Sequence, residues 1–365
     1  MANIVAYAIA VIAVLAAAVL YRLETFEAAA YPEHELTRVG APALVAAKRN
    51  DRLLRGSEKI GEGKLVGPED IAYDPKTGVI YTGGEDGWIS RVSVTESVVE
   101  KWVNTGGRPL GIVHGVHGEV IVADAYKGLL NISRNGEMEV LSDEAEGLKF
   151  KLTDAVDIGP DGTLYFTDAS YKYSVHHAFF DLMEGTPHGR LLSYHPSTKQ
   201  TTLLLKDLYF ANGVAVSADQ TFLIVCETPM ARCKKYFIQG PRAGSVEMFV
   251  ENLPGLPDNI RYDGHGLYWI ALATDSSFLK MVQPYPWIRK LIGMLDKYVG
   301  RPSMEKNGGT IAVDLEGKAI AHYYDEELSY VTSCNKIAHH LYCGSLISPY
   351  ITRLDLTRYP ATSSS

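Results

Sequence analysis

The sequence predicts an all-β chain, a six-bladed β-propeller, on three observations. A strand–turn–strand phrase recurs along the chain. Its copies begin roughly 40 to 70 residues apart, the band in which propeller blades fall. The heads of several copies carry oxygen-bearing side chains. The clearest copy is 208–225, where Val214 and Val216 alternate with small residues, Ser217 to Gln220 supply turn chemistry, and Phe222 to Val225 return as an apolar strand. Apolar–polar alternation over about four to eight positions marks a half-buried strand. Ser, Asp and Asn close turns through local hydrogen bonds. Further copies are 69–81, 111–123, 154–166, 258–269 and 331–344. A β-sandwich accounts for the strands but not for the repeated phrase. A propeller accounts for both, and it sets the first strand of every blade against one central channel.

In chain order, residues 4–20 form an unbroken apolar run followed by Arg22. A bilayer core needs about 17 to 25 such residues, so 1–25 is expected to be a signal peptide or a signal anchor that places the body in the secretory pathway, in the endoplasmic reticulum membrane or lumen or the vacuole. Residues 26–57 mix Glu, Ala, Pro and Arg without alternation and are expected as a linker. The propeller is expected over 58–358, with a segment at 60–66 adding a strand to the last blade so that no edge stays open, and 359–365 as a tail. The insertion 171–189 carries His176, His177 and His188 on polar ground and is expected to be solvated. In 276–299, Trp287, Ile288, Leu291, Ile292, Met294 and Leu295 fall on one helical face among Lys and Arg. That helical insertion is expected to cover a blade, to act as a lid or to touch a membrane.

The net charge of −8 and the lack of a long basic run argue against nucleic acid and tolerate a bound cation. Asn131-Ile-Ser133 is a glycosylation sequon, usable in a lumen. Cys226, Cys233, Cys334 and Cys343 allow two disulfides in three pairings, or buried thiols; no Cys-x-x-Cys pair suggests zinc.

The chemistry is expected at the strand heads. Glu69-Asp70, Thr153-Asp154, Asn212 and Asp258-Asn259 precede the inner strands of different blades and would converge on the axis. Carboxylate and amide oxygens without His or Cys suit a hard cation, Ca²⁺ before Mg²⁺. Each pair taken alone also reads as a turn cap.

The strings Gly67-Pro-Glu-Asp70, Ile80-Tyr-Thr-Gly83, Asp124 to Leu129, Tyr165 to Lys172, Phe210 to Val216 and Leu253 to Asn259 resemble the plant strictosidine synthase-like family, which includes an animal adipocyte plasma membrane-associated branch. The resemblance runs from about Gly56 to Leu356 and implies a six-bladed propeller. More distantly, the strand heads resemble calcium-dependent paraoxonases and gluconolactonases. That likeness implies Glu69, Asn212, Asp258 and Asn259 as metal ligands, with Thr153 in place of a further Asn and Leu110 in place of a paraoxonase histidine. The glutamate that true strictosidine synthases use near the start of the last blade would fall at Thr332 or Ser333; Glu326 and Glu327 lie several residues early.

These readings lead to a Ca²⁺-dependent hydrolase of small esters or lactones acting on a small-molecule substrate, with Asp154 and Glu69 as catalytic groups. The alternatives are a binding propeller with a structural cation, tethered to membrane by its N-terminal segment or lumenal, and, against the missing carboxylate, an amine–aldehyde condensing synthase.

Overall fold

The computed structural model describes residues 24–300 and 306–363, together with positions 7, 19, 21 and 22. The segment expected as signal or anchor, 1–25, lies almost wholly outside the described residues. Among these no helix is long and apolar enough to cross a membrane.

Six sheets form the blades, each antiparallel through its four main strands. Each is a run of neighbouring strands whose innermost members are Ile71–Asp74, Pro109–His114, Thr153–Ile158, Ala211–Val216, Gly255–Tyr262 and Val331–Ile337. The apolar core is divided into six layers, one at each blade junction. Ala72, Ile112 and Val122 fill the first junction, Ala123, Val156 and Phe166 the second, and so on round to Ile60, Ile71, Ile80, Tyr342 and Ile351 between the last blade and the first. The ring is shut by strand Glu58–Ile60, which pairs antiparallel with Ile351–Asp355, Ile60 facing Ile351. The closing strand therefore precedes the expected 60–66, because Gly61 and Gly63 take positive φ and turn the chain away.

The stretch expected as a linker is packed structure. Helix α1 (Glu33–Val39) sends Glu35 to Arg232, with Nη2–Oε1 at 3.1 Å. Lys48–Asn50 runs parallel to Ala319–Asp325 on the edge of the fifth blade, and Thr362–Ser363 of the expected tail pairs on its other side. All four cysteines are joined, Cys226 to Cys233 and Cys334 to Cys343, each pair facing in register on adjacent strands. Loops this short contribute about 2–3 kcal/mol each by the chain-entropy argument.

Two insertions build a cap. The third blade gives a 3₁₀ turn, Val175–His177, and helix α2 (Ala178–Glu184); the fifth gives α3 (Ser277–Val282) and α4 (Pro286–Tyr298). The single helix expected over 276–299 is two, since Pro284 and Pro286 interrupt it and Pro286 starts the second. Residues 24–31 complete the cap: Phe26 packs edge-on to Phe180 at 5.1 Å, and both join Met183, Leu279, Val282 and Ile292 in one apolar cluster. Arg289, fully buried, donates to the carbonyls of Met183 (2.7 Å), Glu184 (3.0 Å) and Gln283 (3.2 Å) and to that of Ala29. One side chain thus ties three distant stretches together.

Candidate functional site

The heads of the inner strands are irregular in a repeated way. Register shifts fall between Pro109 and Ile112, Thr153 and Val156, Ala211 and Val214, Pro257 and Ile260, and Val331 and Ser333. A bulge re-aims side chains locally, so two consecutive residues, as at 258–259, are freed from strict alternation. The Asn212-Gly213 pair is not a turn. Gly213 lies within the strand, and a Cβ there would meet the Asp258 carbonyl at 2.4 Å, so glycine is what lets neighbouring inner strands approach. Gly111 does the same against Asp154, at 2.5 Å from its carbonyl oxygen.

At this end of the channel the structure brings Glu69, Asp154, Asn212, Asp258 and Asn259 together. Asn259 Nδ2 donates to Glu69 Oε1 at 2.9 Å, and the Asn212 amide donates to Asp258. Glu69, Asp154, Asn212 and Asn259 are buried, while Asp258 keeps partial solvent access. Of the buried side-chain oxygens without a hydrogen-bond partner among the described residues, four stand at these strand heads: Glu69 Oε2, Thr153 Oγ1, Asn212 Oδ1 and Asn259 Oδ1. They come from four different blades. Buried polar atoms are nearly always partnered, so four orphans at equivalent strand heads are informative in a way that one would not be.

The electrostatics agree. Burial, then the Asp258, Asp70 and Asp154 carboxylates, hold Glu69 well above the usual carboxylate range. Burial and then Asp154 do the same to Asp258. Asp154 is pushed up to about 8 by burial, then by Asp168 and Asp70. Carboxylates crowded in a desolvated place resist ionising together, and a cation relieves all of them at once.

Hard oxygen donors from carboxylate and amide fit Ca²⁺, which accepts irregular cages. Among the described residues no three His, Cys, Asp or Glu side chains form a metal-holding group by themselves. The set therefore depends on the amide oxygens of Asn212 and Asn259.

Sequence reasoning grouped Asp70 with Glu69, but its oxygens are spent. They accept from the backbone N–H groups of Ile71 (2.8 Å) and Ile112 (2.9 Å) and from Arg261. Arg261 also donates to the carbonyls of Ile112 (3.1 Å) and Val156 (3.2 Å), crossing the channel beneath the oxygens as a plug. Sequence reasoning missed Arg108 as well. It is buried beside Gly67, whose carbonyl accepts Nη1 at 3.2 Å, and its Nη2 has no partner. Its charge lowers the proton affinity of both Glu69 and Asp154. The only signal was an arginine at the head of the second blade's inner strand.

The channel end is covered. Val175, Ala178 and Leu182 pack on Leu110, Leu152, Phe210 and Leu346, the apolar residues adjoining the strand heads. His188, expected in solvent, is buried. Its Nδ1 lies 3.0 Å from Asp181 Oδ2, an oxygen that also accepts from Ser170 at 2.5 Å, so this network holds α2 to its blade. His176 and His177 are exposed. Thr332 and Ser333 are buried and donate to the Glu69 carbonyl at 2.7 and 2.8 Å, while Glu326 and Glu327 sit exposed after Asp325. Asn131 is half-buried within the third strand of the second blade, with a strand on either side.

Comparison with known proteins adds the following. The family model described as strictosidine synthase matches residues 154–241, and that for the strictosidine synthase-like N-terminal region matches 46–92. Strictosidine synthase-like protein 6 of Arabidopsis thaliana is 53% identical over 96% of this chain and 95% of its own length. The adipocyte plasma membrane-associated protein of Gallus gallus is 34% identical over 86% of this chain and 81% of its own. Among solved structures, a gluconolactonase of Xanthomonas campestris (TM-score 0.60) and the calcium-binding regucalcin of Agrobacterium tumefaciens (TM-score 0.62) share the fold at 14% identity. The first covers 86% of this chain and 96% of its own, the second 88% and 98%.

Proposed function

The chain belongs to the strictosidine synthase-like family, and from that premise we propose that it is a Ca²⁺-dependent hydrolase of small esters or lactones. The observation that carries this reading is the set of unpartnered buried oxygens contributed by four blades. The presence of a gluconolactonase and a calcium-binding protein among its structural neighbours is consistent with it.

In this reading Glu69, Asn212, Asp258 and Asn259 would hold the cation, with Thr153 Oγ1 as a further unpartnered oxygen at a strand head. A bound cation supplies Lewis acidity to a carbonyl oxygen. Asp154, whose proton affinity burial and the neighbouring carboxylates raise and a bound cation would lower again, would take a proton from the attacking water and return it to the departing alkoxide as the acyl C–O bond breaks. Glu69 Oε2, which no donor occupies, would be free for the cation. Arg108 Nη2 offers a charged donor to the carboxylate that forms. The apolar cover of Leu110, Leu152 and Phe210 excludes water, and α2 must yield for a substrate to enter.

The test is hydrolysis of phenyl acetate and a panel of lactones, after EDTA and again after Ca²⁺ is restored. Activity lost and regained, and reduced at least about 100-fold in Asn212→Ala, supports the reading. Tight Ca²⁺ binding without turnover would instead establish a binding propeller with a structural cation, a reading favoured by the closed cover. Amine–aldehyde condensation has no carboxylate in the expected place, since hydroxyls stand at Thr332 and Ser333. The apolar N-terminal run and two disulfides are consistent with residence in the endoplasmic reticulum or vacuole.

A further inference from the structure

Helix α4 is apolar on two sides. Two of its cations are turned inward: Arg289 is fully buried, and Lys290 reaches the Glu24 carbonyl and Glu27 Oε1 at 2.5 Å. Ile288, Ile292 and Met294 also pack inward, but a second set of apolar residues faces outward. Trp287 is 60% exposed, Leu291 42%, Leu295 48% and Tyr298 58%, and Met281 and Tyr285 extend the patch. Positions 287, 291, 295 and 298 recur every three or four residues and so form one stripe. Single exposed apolar residues are ordinary, but a continuous stripe marks a contact.

What the stripe touches follows from where the preceding chain is pinned. Glu24 accepts from Lys297 Nζ at 3.1 Å and from the Tyr298 hydroxyl at 2.9 Å, and Lys290 Nζ lies 4.7 Å from the Tyr21 ring. Residues 24–27 are therefore clamped to α4 itself. The apolar run ends at Leu20, and four residues span at most about 14 Å. A bilayer entered by residues 4–20 must pass within that distance of the stripe.

We propose that α3–α4 is a second membrane contact, its apolar stripe lying at the headgroup–acyl boundary beside the entry of the N-terminal segment. Trp and Tyr suit that boundary, having an apolar body and a polar handle. Because Arg289, Lys290 and Lys297 are occupied within the protein, the contact depends on apolar burial and has little preference for anionic lipid.

The test uses the full chain in dioleoylphosphatidylcholine vesicles. All four cysteines are disulfide-bonded, so Leu291→Cys provides a unique thiol for a nitroxide, and Val116→Cys, on the turn at the far end of the channel, serves as control. The label at 291 is expected to favour collision with oxygen over a water-soluble nickel complex about tenfold more than the label at 116. Equal ratios at the two sites overturn the proposal. So does exclusion of both reagents at 291, which would mean a second copy or the apolar run covers the stripe. As a check free of new labels, brominated phosphatidylcholine should quench tryptophan emission of the unmodified protein, and Trp287→Phe should remove most of that quenching; unchanged quenching counts against the stripe.

Discussion

The channel end and the cap both bury charge, and they treat it in opposite ways. In the cap, Arg289 is fully enclosed and pairs with no carboxylate among the described residues, yet carbonyls of Ala29, Met183, Glu184 and Gln283 receive its donors. At the channel end, Glu69, Asn212 and Asn259 are equally enclosed and each keeps an oxygen with no donor. A buried charge that is satisfied behaves as structure. Buried oxygens that converge without donors behave as a place for something absent. The difference teaches that burial alone does not mark a site, whereas joint lack of partners does.

The largest effect that probes this contrast is Arg289→Met. Truncation strands several carbonyls at once and should cost about 3–5 kcal/mol. Hydrogen exchange should locate the loss in residues 24–31 and 178–184, with the blades still protected. A variant as stable as the parent would show that satisfaction counts for little in the cap.

Next in size is Glu69→Gln. Removing one of several repelling carboxylates should leave the cation-free melting temperature equal or higher, against the usual loss of about 1 kcal/mol for a buried change. The gain that Ca²⁺ gives the parent, about 2.7 kcal/mol at a hundred times the dissociation constant, should disappear. Calorimetry with EDTA and with Ca²⁺ reads both terms, and a destabilised cation-free variant would break the contrast.

The smallest effect concerns a lone orphan away from the axis. His322 is buried in the fifth blade, its Nε2 has no partner, and burial, then Arg49, lower its pKa to about 4. The unfolded chain takes up the proton near 6.5, so the stability that His322 protects is full above that value and is lost as pH falls towards 4. Between pH 7 and pH 5 the loss should be about 2 kcal/mol. His322→Gln should flatten that part of the denaturation profile, and an unaltered slope would assign it elsewhere. Here an isolated orphan stays neutral instead of recruiting an ion.

The blades were legible in the sequence because strand alternation and turn chemistry are local, and because repetition turned a weak signal into a strong one. The candidate ligands were legible for the same reason, since each stands at the same place in its phrase. The plug made by Asp70 and Arg261 was not, because it joins residues 191 positions apart and neither departs from what a strand allows. The inward turn of Arg289 and Lys290 was also hidden. Helical periodicity shows that Trp287, Ile288, Leu291 and Ile292 share a side, but which part of that side meets protein depends on Phe26 and Met183, far away in sequence. The linker was misread because its few apolar contacts, such as Leu53 in the layer between the last two blades, carry no period of their own.

The closing strand has a consequence for how the molecule is made. Glu58 pairs with Arg353, and a ribosome adds about 5–20 residues per second. The strand that shuts the ring therefore waits roughly 15 to 60 seconds for its partner to be synthesised. Until then the first blade has no neighbour on one side, and its apolar face with Ile71 and Ile80 stays uncovered. A message cut short by even a few codons before Ile351 would release a chain with five or more finished blades and no closure. Such a product presents open sheet edges to its neighbours, so quality control during synthesis should act most strongly on late truncations.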